Sequence, residues 1–161
     1  MMATVNNITR LLDSRKITYQ AYETPAEKLS ALEVAHFLDI PPDLVFKTIV
    51  VTRDKGKKPI LAVIPGPGTV DLKLLAAFLG EKKVYLPTER EAEQITGLQA
   101  GGISPLALIN KGFQVVIDSI AQSYSEIHVS GGQRGLNLKL SVTDLIKLTN
   151  ARVSSISRIS P

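Results

Sequence analysis

Apolar positions along the chain change period several times, and each change marks an element. Val5, Ile8, Leu11 and Leu12 recur at helical spacing and predict a helix over 4–16. Ile17 to Tyr22 alternates as a short strand, broken by Thr24-Pro25. Ser30 stands three residues before Glu33, a capping box that opens a helix through Val34, Phe37 and Leu38. Pro41-Pro42 prevents that helix from running on. Val45 to Thr52 is rich in β-branched residues and predicts a strand. A polar turn around Gly56 leads to a partner strand, Pro59 to Ile64, so the two form a hairpin.

Beyond the breaker Gly66-Pro67-Gly68, Leu72 to Leu79 returns to helical spacing and stops at Gly80. Lys83 to Leu86 reads as a short strand. Thr88 and Glu91 repeat the capping box and open a helix ending near Gly97. Strands are expected at Phe113–Ile117, Ile127–Val129 and Leu136–Leu140, and a last helix from a Ser141–Asp144 cap through Leu148. Residues 150–161 are Ser- and Arg-containing and are expected to fray. Six or seven short strands mixed with four or five helices predict an α/β fold. Adjacent strands joined by turns favour a mixed, largely antiparallel sheet with packed helices over a regular βαβ array. No repeat or linker divides the chain, so 1–161 is expected to be one domain.

Composition removes several chemistries. With no cysteine among 161 residues, disulfides, a cysteine nucleophile and thiolate metal sites are excluded. No apolar run reaches the ~20 residues that span a bilayer. The N-terminus does not read as a signal peptide, so the expected location is cytoplasmic, away from membranes. The net charge of +4 suits RNA without requiring it. His36 and His128 share no metal-ligand spacing and read as structural or surface residues. There is no nucleophile elbow, phosphate loop or dinucleotide fingerprint. Neither a metal nor a cofactor is expected.

Three features remain. Lys47 shares a strand face with Ile49 and Val51. It is either an edge lysine snorkelling to water or a cation at a pocket mouth that could hold a carbonyl, phosphate or oxyanion. Gly101-Gly102-Ile103-Ser104-Pro105 is either a tight turn or a bare-backbone cup for an anion. Ser130-Gly131-Gly132-Gln133-Arg134-Gly135 follows the same logic, with Arg134 able to meet a phosphate or carboxylate.

In this order and at these separations, the segments resemble the YbaK family of aminoacyl-tRNA deacylases. The matching pieces are Val45-Phe46-Lys47-Thr48, Thr96-Gly97 with Gly101-Gly102-Ile103-Ser104-Pro105, Val116-Ile117-Asp118, and Val129-Ser130-Gly131-Gly132 with Arg134-Gly135-Leu136. That family is related to the editing domain inserted in bacterial prolyl-tRNA synthetases.

The resemblance implies a barrel-like mixed sheet and hydrolysis of the ester joining a wrong amino acid to tRNA. Cysteine on proline-specific tRNA is the leading substrate, and aminoacylated tRNA the partner, with a prolyl-tRNA synthetase as a possible second one; DNA is not expected. It makes Lys47, Gly101 and Gly102 catalytic, and Tyr22, Thr48, Ile103, Ser104, Ser130, Gly131 and Arg134 substrate contacts. Asp118, at a strand end, is either part of the site or structural. Water, or the thiol of a cysteinyl substrate, would be the nucleophile. Two positions depart from the family pattern: Gln133 stands where a basic residue is common, and Asn137 where an acid is. Deacylation of another amino acid such as alanine, or a non-catalytic tRNA- or nucleotide-binding role, are the competing readings.

Overall fold

A computed structural model describes residues 5–54 and 56–159. The order is α1 (Asn7–Ser14), β1 (Tyr19–Glu23), α2 (Ala31–Leu38), β2 (Phe46–Val51), β3 (Ile60–Pro65), β4 (Gly68–Val70), α3 (Leu72–Leu79), α4 (Glu89–Thr96), β5 (Gln114–Asp118), β6 (Glu126–Ser130), β7 (Leu136–Ser141), α5 (Val142–Thr149), β8 (Arg152–Ser154) and β9 (Ser157–Ile159). Short 3-10 turns occupy Pro42–Leu44, Pro105–Leu108 and Ser119–Ser123.

Local chemistry sets most helix ends. Both expected capping boxes are present: Ser30 and Glu33 exchange hydrogen bonds, as do Thr88 and Glu91. α3 and α4 end at Gly80 and Gly97 in the left-handed region, each with φ 72°. α1 starts later than the apolar spacing predicts, because Asn6 caps it and leaves Val5 exposed.

The strands form three sheets. β2-β3-β5-β8 is mixed: β2 and β3 make the expected antiparallel hairpin, whereas β3-β5 and β5-β8 are parallel. β1-β7-β6 is antiparallel throughout, and β4-β9 is a two-stranded antiparallel pair. A parallel bridge between Val45 and His128 links the first two sheets.

The four-stranded sheet is covered on both faces, which explains why β3 is a continuous apolar run instead of an alternation. Phe46, Val50, Leu61, Val63, Val115 and Ile117 point into a core shared with β6, β7, α1 and α5. Val51, Ile60, Ala62, Ile64 and Val116 point the other way, against Leu75 and Ala76 of α3.

Two further expectations fail. Lys83–Leu86 supplies only an isolated bridge, Thr52 with Tyr85, because its neighbours carry no continuing ladder. Residues 150–159 do not fray. β8 adds to β5, β9 pairs β4, and Ile156 between them is fully buried. The anchor is Asp118, whose Oδ2 accepts from the Ile156 amide (3.0 Å) and the Ser157 hydroxyl (2.7 Å). Its Oδ1 accepts from the Ile120 amide (2.9 Å). Asp118 is therefore a buried brace.

Candidate functional site

A cavity of about 490 Å³ opens between β2, α2, the start of α4 and the two glycine loops. Its floor is the first half of β2, and α2 walls one side through Ala31, Leu32 and Val34. Gly66 allows that wall to come close: a Cβ there would sit 2.9 Å from both the Ala31 Cβ and the Val45 carbonyl oxygen. Leu86 and Pro87 complete its apolar lining.

Lys47 lies half-buried in this cavity, opposite Ile64 in the hairpin register. Its face is the one that carries Ile49 and Val51 toward the α3 core. It makes no ion pair or hydrogen bond among the described residues. Burial lowers its pKa from the ordinary lysine value. Two carboxylates line the same cavity, Glu27 and Glu89; both are exposed, and Glu89 pairs with Lys28 at 3.0 Å. An ammonium that is partly desolvated yet unpaired is available to a ligand anion.

Gly101 also faces this space, with φ 89°. Its neighbour is used differently. The Gly102 amide donates to the Gln99 carbonyl at 2.8 Å, and Gly102 is buried against the backbone of Gln133 and Arg134. A Cβ at Gly102 would lie 2.9 Å from the Gln133 Cα, so glycine is required there for packing. The amides of Gly101 and Ile103 donate to nothing among the described residues, and both residues line the cavity.

Of the residues singled out from sequence, the cavity gathers Lys47, Thr48, Gly101, Ile103 and Ser130. The other five lie outside its lining. Tyr22 packs its ring 5.3 Å from that of His128 and donates to Gln20. Ser104 is fully buried and caps the 3-10 turn at the Leu106 amide. Gly131 turns the β6–β7 connection, where a Cβ would meet the Leu136 Cγ at 2.5 Å. The Arg134 Nε donates to the Ala100 carbonyl at 2.7 Å, joining the two glycine loops. Gly102 is the fifth.

A second polar group stands in the wall, which the sequence marks only as a departure from the family pattern and not as a site residue. Asn137 lines the cavity, is 4 % exposed, and its Oδ1 lies 2.8 Å from the Nδ1 of His128. Desolvation lowers the His128 pKa, only partly opposed by the Asn137 hydrogen bond. A neutral ring would donate through Nδ1, so an amide oxygen serves where an acid is common in the family. Hairpin pairing could have suggested the contact, since β6–β7 register sets His128 opposite Lys139 and Asn137 opposite Ser130, which makes the two diagonal neighbours. Gln133 is exposed and accepts from the Asn6 side chain at 3.1 Å. Among the described residues no group of three His, Cys, Asp or Glu could hold a metal, and no helix is long and apolar enough to cross a membrane.

Comparison with known proteins places the chain in a family. The aminoacyl-tRNA editing domain family matches residues 25–148. A protein of Enterococcus faecalis named as a candidate Cys-tRNA(Pro)/Cys-tRNA(Cys) deacylase, EbsC, is 37% identical over 153 residues, covering 94% of this chain and 92% of its own. A proline–tRNA ligase of Streptococcus thermophilus is 30% identical over 116 residues, 72% of this chain but 18% of the ligase. Among solved structures, the crystal structure of a candidate trans-editing enzyme for prolyl-tRNA synthetase superposes with TM-score 0.77 at 22% identity, over 96% of this chain and 99% of that one. That likeness establishes the shared mixed α/β fold. With more than half its length matched by the family and one relative aligned almost end to end, the chain belongs to the aminoacyl-tRNA editing domain family, the YbaK-type deacylases.

Proposed function

We propose that this protein acts in trans on Cys-tRNA(Pro), with Lys47 as the essential cation of the site. The observation that carries the assignment is the half-buried ammonium of Lys47, unpaired among the described residues, in a cavity also lined by Gly101, whose amide donates to nothing there. The preference for cysteine rests on the full-length likeness to EbsC.

The lining residues include no histidine and no cysteine, and among the described residues the Lys47 amine makes no hydrogen bond to a lining hydroxyl, so no nucleophile–base pair is assembled. Aminoacyl esters are activated, and positioning with electrostatic help suffices. The Gly101 amide donates to the ester carbonyl. Lys47 holds the terminal ribose–phosphate or the developing oxyanion. Water, or the substrate's own thiol, adds to the carbonyl carbon; the ester C–O bond then breaks and the ribose oxygen leaves with a proton. Thr48, Ile103 and Ser130 contact the amino acid or ribose from the cavity wall.

A charge of +4 gives modest, salt-dependent attraction to whole tRNA. Selectivity for one tRNA then calls for a partner, and a prolyl-tRNA synthetase fits, given that its ligase chain carries a related segment. The test is release of amino acid from tRNA(Pro) charged with cysteine, alanine or proline. Rapid loss of cysteine alone is expected. Preferential release of alanine would overturn the substrate assignment, and inertness toward all three would leave a binding module.

A further inference from the structure

The Ala100–Gly101 peptide is held on its carbonyl side, and this bears on how its amide is aimed. Gly102 N–H to Gln99 O closes a four-residue turn with Ala100 and Gly101 at its centre. Gly101 has φ 89° while Ala100 is not among the positive-φ residues, which is the type II pattern. In such a turn the central peptide can flip over, exchanging the directions of its C=O and N–H, to give type I. Here that peptide is Ala100 C=O with Gly101 N–H. The Arg134 Nε donates to the Ala100 carbonyl at 2.7 Å. On the preceding peptide, the Ala100 N–H donates to the Glu93 carboxylate, also at 2.7 Å. The peptide is trans, so a carbonyl pulled toward Arg134 points the Gly101 N–H the other way. Gly101 lines the cavity and Arg134 does not.

We infer that Arg134, seconded by Glu93, is a positioning residue that locks this turn in its type II state and keeps the Gly101 amide aimed at the substrate carbonyl. This rests on the deacylase mechanism proposed above. A charged donor on the carbonyl also polarises the same peptide, making its N–H a stronger donor. Arg134 therefore acts through Gly101, not by gripping phosphate.

Two substitutions separate these roles. Arg134→Met places a methyl, and Arg134→Gln an amide nitrogen, the same number of bonds from Cα as the arginine Nε. Gln keeps the donor and loses the charge; Met loses both. Deacylation of Cys-tRNA(Pro) is followed for kcat and KM, together with the ¹H–¹⁵N shift of Gly101 in the free protein. Arg134→Met is expected to lose about ten- to a hundredfold in kcat with KM nearly unchanged. Arg134→Gln should stay near wild type, and the Gly101 shift should move only in the Met variant. Wild-type kcat in Arg134→Met, Gln as impaired as Met, or a change confined to KM would overturn the lock. If the wild-type protein deacylates nothing, the functional proposal falls, and an unmoved Gly101 shift in Arg134→Met would still refute the lock on its own.

Discussion

Replacing Lys47 by Met separates what the charge does for chemistry from what it does to the fold. Met keeps an unbranched stem beside Ile49 on β2 and removes the ammonium. Among the described residues no carboxylate pairs with Lys47, so its removal orphans no partner there. A half-buried site sits between water and a dry interior, so an effective dielectric near 20 applies, and a unit charge ~4 Å from a phosphate or oxyanion contributes about 4 kcal/mol. Loss of such a contact corresponds to roughly a hundred- to a thousandfold in rate. We expect that loss in kcat/KM for Cys-tRNA(Pro), measured by amino-acid release.

Stability should move the other way. Burial lowers the folded-state pKa of Lys47, so below that pKa the folded protein carries a charge it holds less well than the unfolded chain does. Wild type therefore gains stability as pH rises from its folded pKa toward the ordinary value of 10.5, while Lys47→Met does not. The variant should be at least as stable at neutral pH, with its advantage shrinking in alkali, as read by urea denaturation across pH. A folded variant retaining a tenth or more of the activity would refute the catalytic role. A variant clearly less stable at pH 7 would show that the amine has a partner after all.

Asp118→Ala should cost roughly 3 kcal/mol in urea denaturation, because it leaves the buried Ile156 amide without an acceptor. Gly131→Ala should cost about 1–3 kcal/mol, since its Cβ would press on Leu136 in a packed core; near-neutral stability would mean the loop yields freely. His128 is held neutral by burial, so the unfolded state binds the extra proton first. Stability should fall as pH drops from 6.5 through the lower folded pKa, and His128→Gln should flatten that slope.

The sequence carries local signals well and distant ones poorly in this chain. Ser30 with Glu33 and Thr88 with Glu91 mark helix starts through contacts three residues apart, so their pattern survives in one dimension. Lys47 stands out because a lysine interrupts an apolar strand face. The tail from 150 shows no such mark. β8 and β9 are polar three-residue strands, held by Asp118 some 38 positions earlier and by the burial of Ile156. Nor does Gly101-Gly102 reveal its division of labour, because the Gly102 amide is consumed by a turn whose geometry depends on Glu93 and Arg134.

That division explains why two adjacent glycines are needed. One must take φ 89° at the turn's third position, where a side chain is strained. The next sits where a Cβ would lie 2.9 Å from the Gln133 Cα and collide with the 133–134 backbone. Gly102 can close the turn only by giving up its amide, so within the turn the Gly101 amide keeps the free donor, with that of Ile103 free just beyond it. A backbone donor is useful for catalysis only if its direction is fixed. Fixing it requires bonds from outside the loop, because the turn's own hydrogen bond tolerates either orientation of the central peptide. Arg134 comes from the β6–β7 connection and Glu93 from α4, so the aim of one amide depends on two side chains that lie outside the cavity lining. Glu93→Gln, which retains an acceptor for the Ala100 amide, should therefore cost far less activity than Glu93→Ala, at unchanged KM. Equal activity in the two would show that the turn holds itself.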